Sequence, residues 1–348
     1  MSSSPLDLPT RAAPLLEVDE LRVSYPLGDG LWRRRRGEVL AVAGVSLALY
    51  PGETFGLVGE SGCGKSSLGL ALLGWVPSSG GHLTLEGGDL RHPTKALAAR
   101  RQREIQMVFQ DPQAALNPRL TAGESIGEPL LVQGLARGRA LRGRVVQLLD
   151  QVGLAADAAN RYPHQFSGGQ RQRVVIARAL ALQPKILICD EPVSALDLSV
   201  QSQILNLLLA LQQELGLSYL FISHDLAVVR HISHRIGVMY LGRLVEVGTA
   251  EQLFQNPQHP YTQALIEALP RPKPGVRRQW RPIQAELPSP VNPPSGCPFH
   301  PRCPLVESRC RREHPGLQGD DQQRAACWVS APPPQGGAVP PHAFHGKK

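Results

Sequence analysis

Two glycine-containing stretches of the chain have the composition of phosphate-binding loops, and the first is GESGCGKS at positions 59–66. Gly59, Gly64, Lys65 and Ser66 match the pattern G-x-x-x-x-G-K-[ST]. In this pattern the glycines let backbone N–H groups surround a β-phosphate, the lysine neutralises phosphate charge, and the serine hydroxyl can ligate Mg²⁺. We therefore predict a nucleotide-binding loop. Its other members are Glu60, Ser61, Gly62, Cys63 and Ser67, and nothing in this chemistry requires the thiol of Cys63.

The second stretch is Ser167, Gly168, Gly169 and Gln170, at the head of a predicted helix. Glycines expose backbone N–H groups, and the N-terminus of a helix attracts anions. The alternative is an ordinary helix cap without a ligand. That explanation is the weaker one, because a single cap residue would suffice and two glycines lower the stability of the helix. A chain that binds one nucleotide has no use for two phosphate sites unless they serve different molecules.

Four polar residues follow apolar runs that predict buried strands. Asp190 in ILICDEP can hold Mg²⁺ directly or through water, and Glu191 can then orient and deprotonate a water that attacks the γ-phosphate. Gln110 in MVFQDP can bind the metal or the water, and His224 in FISHD can donate to the γ-phosphate; each alone also fits a polar residue that caps a strand. Tyr25 in RVSYP fits a stack on adenine or a half-buried strand aromatic. We predict catalytic roles for Glu191 and His224, and Mg²⁺ contacts for Ser66, Gln110 and Asp190.

The elements that must position these residues alternate between strands and helices, which predicts an α/β fold with a largely parallel sheet. TFGLVG, PKILICDEPV and SYLFISHD fit buried strands, and short alternating runs near the N-terminus fit antiparallel strands. The stretch between the two halves of this core is mostly helical in pattern, and RIGVMYLGRLVEVG fits a terminal β ribbon. The apolar run VLAVAGVSLALY is too short to span a bilayer and fits paired strands.

In chain order, these motifs resemble those of ATP-binding-cassette (ABC) ATPases, which carry the P-loop NTPase fold with an antiparallel β subdomain and a helical insertion. The resemblance identifies 59–66 as Walker A, Gln110 as the Q-loop, 167–170 as the signature, and Asp190 with Glu191 as Walker B and its catalytic glutamate. Residues 194–197 resemble the D-loop and His224 the switch histidine. The resemblance to ABC ATPases covers roughly residues 15–265, with the helical subdomain at about 95–180. Its one departure is Phe166, where many relatives have leucine.

The same resemblance implies a partner for the second phosphate site. Two cassettes dimerise head to tail, so that residues 167–170 of one subunit cap the ATP held by Walker A of the other. Closure then depends on the γ-phosphate, and hydrolysis removes the contact.

Longer stretches, among them VSALDLSVQSQILNLL, NPQHPYTQALIEALP and GCPFHPRCP, resemble the ATPase subunits of bacterial oligopeptide/dipeptide importers. Such subunits pair with an identical or a sister ATPase and energise two integral membrane permease chains, which an extracytoplasmic solute-binding protein supplies. The resemblance implies a peripheral location on the cytoplasmic face of the inner membrane. Peptides are the expected solute, with nickel, glutathione and sugars as alternatives.

The composition agrees with this role. The N-terminus lacks the basic-then-apolar order of a secretory signal, so we expect a cytoplasmic protein. The net charge of +8 suits phosphorylated ligands, nucleic acid or an anionic surface. The Arg33–Arg36 run is most simply a solvated loop. The rival hypotheses are an ABC ATPase that acts on nucleic acid or ribosomes, and a metal-binding regulatory module that only senses ATP. The first usually has two cassettes or a long coiled-coil insertion, which this chain lacks, so we expect no nucleic-acid partner.

Four of the six cysteines gather in a Pro-rich C-terminal extension at 266–330, ahead of a predicted disordered tail at 331–348. Cys297, Cys303, Cys310 and Cys327 are spaced C-x5-C-x6-C-x16-C. Disulfides are disfavoured in a reducing cytosol, and a segment with little core gains most from a metal. Four thiolates suit a [4Fe–4S] cluster or Zn²⁺, and some members of the resembled subfamily carry an iron–sulfur cluster. We expect the cluster, with zinc or free structural thiols as alternatives.

Overall fold

The computed structural model describes residues 13–27, 37–269 and 288–330. The arginine run at 33–36 and the tail at 331–348 therefore lie outside the described residues. None of the described helices has the length and apolar character needed to cross a membrane.

The strands of the described residues are β1 (Leu16–Pro26), β2 (Glu38–Leu49), β3 (Thr54–Val58), β4 (Gly80–Leu85), β5 (Gly88–Asp89), β6 (Ile105–Val108), β7 (Ile186–Asp190), β8 (Ser218–Ser223), β9 (Arg235–Tyr240), β10 (Arg243–Thr249), β11 (Gln318–Gly319) and β12 (Gln323–Ala325). The α-helices are α1 (Lys65–Leu73), α2 (Lys95–Glu104), α3 (Pro112–Ala115), α4 (Ala122–Val132), α5 (Gly138–Gln151), α6 (Gly168–Leu180), α7 (Leu198–Leu215), α8 (Leu226–Ile232), α9 (Ala250–Gln255) and α10 (Pro260–Glu267).

The N-terminal strands form a four-stranded antiparallel sheet in the order β2-β1-β4-β5. The run VLAVAGVSLALY, expected to be paired strands, lies almost entirely within one strand, β2, which pairs along β1 from Leu16↔Leu49 to Pro26↔Glu38. Irregularities in this register let the two long strands twist while their apolar residues stay on one face. That face is buried against α1 and the second sheet, in a core that includes Val18, Leu21 and Leu72.

The second sheet has eight strands in the order β11-β12-β10-β9-β3-β8-β7-β6. Strands β9, β3, β8, β7 and β6 run parallel. Every residue of β3, β7 and β8 is buried, because helices cover one face and α1 with the antiparallel sheet covers the other, and this explains their continuous apolar runs. The carboxyl ends of parallel strands meet at one edge of the sheet, which brings together the residues that follow β3, β6, β7 and β8.

The predicted terminal β ribbon is correct as a hairpin but wrong as a terminal element. Strand β9 pairs parallel to β3 inside the sheet, and β10 turns back antiparallel to β9. Beyond β10 the C-terminal extension adds β12, paired from Glu246↔Ala325 to Gly248↔Gln323, and then β11. The extension is therefore joined by backbone hydrogen bonds to the nucleotide-binding core.

The predicted helical insertion corresponds to α3–α6 with two short 3₁₀ turns, Ala156–Asn160 and Pro163–Gln165. Helix α2 precedes it but leads directly into β6, a strand of the large sheet, so the continuous helical region begins at Pro112. Its helices pack around Ile126, Leu148 and Leu149, which are fully buried. Helix α6 carries the apolar face that joins this region to the sheet core.

Candidate nucleotide site

The loop at 59–64 lies between β3 and α1, as its pattern predicts. Gly64 is the N-cap of α1 and has φ +103°, a left-handed conformation that side chains rarely adopt. A Cβ at this position would also clash with the carbonyl oxygen of Ala41 on β2. Glycine is therefore required here by backbone conformation and by the close approach of a second strand. No local pattern indicates Ala41, whose contact depends on how the two sheets pack.

Lys65 is almost fully buried at the first position of α1. Its ammonium donates to the carbonyl oxygens of Gly59 at 2.8 Å and Glu60 at 3.0 Å, and lies 3.8 Å from the Sγ of Cys63. Burial raises the pKa of the Cys63 thiol, so this thiol packs beneath the loop in its neutral form. The loop thus carries a cation held at its base, as phosphate binding requires.

Glu191 connects two of the other predicted residues. Its carboxylate accepts a hydrogen bond from Gln110 Nε2 at 2.9 Å and lies 3.1 Å from His224 Nδ1. The residue directly follows β7 and has φ +47°, an uncommon conformation for a residue with a side chain. Its backbone N–H donates to the carbonyl oxygen of Ile222 on the neighbouring strand at 2.9 Å, which holds this turn in place. The turn directs the carboxylate into the cavity rather than back over the sheet.

Asp190, the last residue of β7, is buried with its Oδ1 unpaired by any described atom. Burial raises the pKa of this carboxyl, although a hydrogen bond with the Ser66 hydroxyl opposes the shift. A buried carboxylate oxygen without a partner is costly unless a cation compensates it. The pair of Asp190 and Ser66 supplies hard oxygen ligands, which fit Mg²⁺.

Most of these residues line a cavity of about 540 Å³, a size typical of small-molecule sites. Asp190 does not line it but is hydrogen-bonded to Ser66, which does. The lining residues are Ala41, Ser61, Gly62, Gly64, Lys65, Ser66, Ser67, Gln110, Glu191 and His224. Tyr25 lies at its margin, where its hydroxyl is 3.3 Å from Ser67 Oγ. Of the predicted loop members, Gly59, Glu60 and Cys63 do not line the cavity. The structure therefore brings together the Walker A, Q-loop, Walker B and switch residues.

The second glycine stretch lies away from this cavity. Ser167 caps α6 by accepting a hydrogen bond from Gln170 N at 3.3 Å, and Gln170 Oε1 accepts one from Ser167 N at 3.1 Å. A Cβ at Gly169 would lie 2.5 Å from a methyl group of Val200 on α7. Ser167 therefore does act as a helix cap, and the close approach of Val200 leaves no room for a side chain at Gly169. Gly168 has more room, since its Cβ would lie 3.3 Å from Leu196.

Comparison with known proteins identifies this arrangement. Residues 42–194 match the model of the ABC transporter family, and residues 245–310 match the model described as the C-terminal region of oligopeptide/dipeptide transporters. The chain is 50% identical over 321 residues to the oligopeptide transport ATP-binding protein OppF of Escherichia coli, covering 90% of this chain and 95% of that protein. The chain belongs to the family of ABC transporter ATP-binding subunits.

Two further comparisons support the family assignment. A probable peptide ABC transporter ATP-binding protein of Sinorhizobium fredii is 51% identical, over 91% of this chain and 90% of that protein. Among solved structures, the dimeric ATP-binding cassette MJ0796 in a post-hydrolysis state bound to ADP and Pi aligns with TM-score 0.59 at 29% identity, covering 68% of this chain and 98% of that one. As an ABC ATPase, the protein binds ATP with Mg²⁺ and hydrolyses it.

A groove opens beside the Q-loop of this ABC subunit. Trp75 and Phe109 stack with ring centroids 5.5 Å apart, and Trp75 remains 66% exposed. The groove has a volume of about 740 Å³ and extends from these rings to Gln110 and Asp190 on one side and Val175 of α6 on another. A large exposed aromatic stack in a groove is uncommon on a surface that faces only water. The Q-loop glutamine thus borders both the nucleotide cavity and this groove.

The four cysteines of the extension line one small cavity together with Phe299 and neighbouring apolar residues. All are free thiols. Burial and the neighbouring thiols raise the pKa of Cys297 to about 11, and burial also raises the pKa of Cys303. Among the described residues no group of three or more His, Cys, Asp or Glu side chains has the arrangement to hold a metal ion. The structure therefore brings the predicted thiols together, but not in the arrangement that a single metal ion requires.

Proposed function

We propose that the chain is the ATP-hydrolysing subunit of a membrane importer of oligopeptides or dipeptides. The relatives described above are named as peptide transport subunits, and the extension matches a model named for the same transporters. The observation that carries the proposal is the complete hydrolytic set at one edge of the sheet, where Gln110 and His224 both contact Glu191. A module that only senses ATP has no need for this arrangement.

In the proposed reaction Glu191 acts as the general base. Its carboxylate, oriented by Gln110 and His224, positions a water for attack on the γ-phosphate and accepts the proton of that water. Asp190 and Ser66 would hold Mg²⁺, with Gln110 as a further contact, and the ion supplies charge neutralisation of the phosphates. Lys65 and the backbone N–H groups at 61–66 bind the β- and γ-phosphates. Tyr25 stacks on adenine from the margin of the cavity.

The signature residues serve a second subunit in this proposal. Ser167, Gly168, Gly169 and Gln170 lie outside the cavity of their own chain, where the N-terminus of α6 presents backbone N–H groups at the surface. The cassette MJ0796, to which this chain is structurally similar, is dimeric with ADP and Pi bound, which supports pairing of two cassettes. The partner is an identical cassette or a sister ATPase.

The groove at Trp75 and Phe109 is the proposed docking site for a cytoplasmic helix of the permease. Its apolar stack can receive such a helix, while Gln110 at its edge reaches the catalytic carboxylate of Glu191. We infer that the subunit lies peripherally on the cytoplasmic face of the inner membrane, beside two integral membrane permease chains. An extracytoplasmic binding protein supplies the solute, and nucleic acid is not a partner.

The test is to search the neighbouring genes for two permease chains and to reconstitute the protein with them. We expect the chain to co-purify with both, and proteoliposomes to accumulate labelled peptide only with Mg²⁺·ATP and not with the E191Q variant. Nickel, glutathione and sugars serve as competing solutes, and uptake of one of these instead of peptide would correct the substrate. Recovery of ribosomes or nucleic acid without any integral membrane protein would overturn the transport function.

For the extension we propose that the four thiols bind a [4Fe–4S] cluster. Support comes from their shared buried cavity and from the donor set, since each thiolate of such a cluster binds a different iron and the ligands need not meet at one ion. The arrangement required for a single Zn²⁺ ion, with four sulfurs about 2.3 Å from one centre, is tighter. Anaerobic purification should yield a brown protein with iron, sulfide and a broad absorption band near ~400 nm. A colourless protein containing zinc, or neither metal, would contradict the cluster.

A further inference from the structure

A side chain of the C-terminal extension reaches the phosphate-binding loop. The guanidinium of Arg302 forms two parallel bonds with the carboxylate of Glu60, Nη1 to Oε2 at 3.0 Å and Nη2 to Oε1 at 3.1 Å. The side chain of Arg302 is only 7% exposed. Glu60 is the second residue of the Walker A loop, and 242 positions separate the two residues in sequence. This two-bond geometry fixes the orientation of both groups as well as their distance.

Glu60 is held at three points. Besides the carboxylate, its backbone N–H donates to the hydroxyl of Tyr261 at 3.0 Å, and its carbonyl oxygen accepts from Lys65 Nζ at 3.0 Å. The segment that follows Glu60 contains the glycines whose N–H groups bind phosphate. The direction of those N–H groups therefore depends on where Glu60 is held.

Arg302 is itself rigidly placed. It ends the 3₁₀ turn His300–Arg302, and its Nη1 also lies 3.3 Å from the hydroxyl of Tyr240. Phe299, at the start of that turn, packs edge-on against Tyr240 with centroids 5.3 Å apart and against Tyr261 at 5.5 Å. All three rings are fully buried. A guanidinium on such a support can hold the loop in one position.

Charge gives the contact a second consequence. The loop must accept the polyphosphate of ATP, and an unpaired carboxylate in the same loop would repel it. The pattern G-x-x-x-x-G-K-[ST] does not specify the residue type at position 60, and it supplies no partner for a carboxylate there. The negative charge of Glu60 must therefore be neutralised by a residue outside the pattern. Among the described residues Arg302 is the basic side chain that bonds to it.

We propose that Arg302 is a positioning residue for ATP binding, which orients the Walker A loop through Glu60 and neutralises the carboxylate of that residue. The C-terminal extension is thereby part of the nucleotide site. The proposal concerns ATP binding and does not depend on which solute the transporter carries.

The experiment measures the Kd of ATP by equilibrium binding, with KM and kcat of the ATPase, for R302Q, R302K and the control R311Q, which changes an exposed arginine of the same extension. We expect R302Q to raise Kd and KM about tenfold with a much smaller change in kcat, a loss within the range that displaced binding groups cause. R302K keeps the charge but loses the two-bond geometry, so its Kd should lie between those of R302Q and the wild type.

The double variant E60Q/R302Q separates positioning from charge. If the unpaired carboxylate repels ATP, the double variant binds ATP more tightly than R302Q alone, and the defect of R302Q shrinks at high salt. If R302Q does not fold, R302K carries the test, with a circular-dichroism melt as the check on folding. A lowered melting temperature with unchanged ATP Kd in R302K or R302Q would overturn the proposal, because the contact would then be merely structural.

Discussion

The Oε1 atom of Glu191 lies 3.1 Å from His224 Nδ1 while its Oε2 accepts a hydrogen bond from Gln110. These three residues directly follow or come shortly after β7, β8 and β6, which are adjacent strands of the parallel sheet. The Glu191 carboxylate thus links residues at the carboxyl ends of three adjacent strands. Because Gln110 also borders the Trp75 groove, a displacement there can change the orientation of the catalytic carboxylate.

The E191Q substitution should retain ATP binding and reduce turnover by far more than tenfold. Glutamine keeps the size of the side chain but cannot accept the proton of the attacking water. The measurement is steady-state ATPase activity alongside ATP Kd, with E214Q on the exposed face of α7 as the control. A loss below about tenfold, or ~1.4 kcal/mol, would mean that Glu191 is not the base.

The D190N substitution should stabilise the protein without Mg²⁺ and reduce the additional stabilisation that Mg²⁺·nucleotide provides. Burial raises the pKa of Asp190, so its ionised form at neutral pH destabilises the fold until a cation compensates it. We therefore expect the melting temperature without metal to rise, because the substitution removes the buried charge. The exposed D157N variant serves as the control.

Thermal melts with EDTA, with Mg²⁺ alone and with Mg²⁺ plus a non-hydrolysable ATP analogue distinguish the outcomes for Asp190. A D190N protein that melts lower than wild type in EDTA, yet gains as much from Mg²⁺·nucleotide, would argue against a metal-binding role.

The G169A substitution should destabilise the protein by about 1–3 kcal/mol, because the added methyl group overpacks the contact with Val200. Adding V200A, which shortens the opposing side chain, should restore most of the loss in chemical denaturation. The G168A variant, with more room at Leu196, should be milder.

These variants also test the signature separately from its packing. If residues 167–170 cap the nucleotide of a second subunit, G169A/V200A should impair ATP-dependent dimerisation although it restores stability. The comparison is made by size-exclusion chromatography with ATP, in proteins that also carry E191Q so that ATP is not consumed. Dimerisation at the wild-type level would leave packing as the sole role of Gly169.

The stability of the protein should fall between pH 7 and pH 5 in part through His234. Burial lowers the pKa of this imidazole, and its Nδ1 accepts a hydrogen bond from Thr54 N at 3.0 Å. Below the ordinary value of 6.5 the unfolded chain binds a proton that the folded chain excludes. The unfolding free energy therefore decreases as pH falls, by at most about 1.4 kcal/mol per pH unit for one group.

The H234N variant retains an acceptor for Thr54 N and removes the titration, so its denaturation midpoint should depend less on pH in this range. Exposed His231 supplies the matched control, and H231N should keep the wild-type slope. Equal slopes for H234N and wild type would assign the pH dependence to other groups.

The nucleotide cavity was predictable because its chemistry is local in sequence. Each of Lys65, Glu191 and His224 directly follows a buried apolar strand or its loop, and parallel strands place such ends together. The strand RIGVMY was likewise identifiable, but its partner was not. Alternating apolar residues mark a strand without saying whether it lies at an edge or, as here, inside the sheet.

The contacts that depend on distant packing could not be predicted. Val200 explains why Gly169 lacks a side chain, and Ala41 explains Gly64, yet neither residue has an unusual local pattern. The bond between Glu60 and Arg302 spans 242 positions. No periodic pattern or motif distinguishes Arg302 from the other basic residues of the extension, so the sequence alone does not indicate this contact.

Strand β12 of the extension covers the outer edge of β10, and Phe299 fills the space against Tyr240 and Tyr261. A chain truncated after Glu267 would expose the unpaired backbone amides and carbonyls of β10. It would also leave an apolar cavity where Phe299 packs against Tyr240 and Tyr261, next to the phosphate-binding loop. Exposed edge strands of this kind pair with strands of other molecules and promote aggregation. A preparation of the isolated ATPase domain should therefore retain residues 288–330, because they complete both the sheet edge and the support of the phosphate-binding loop.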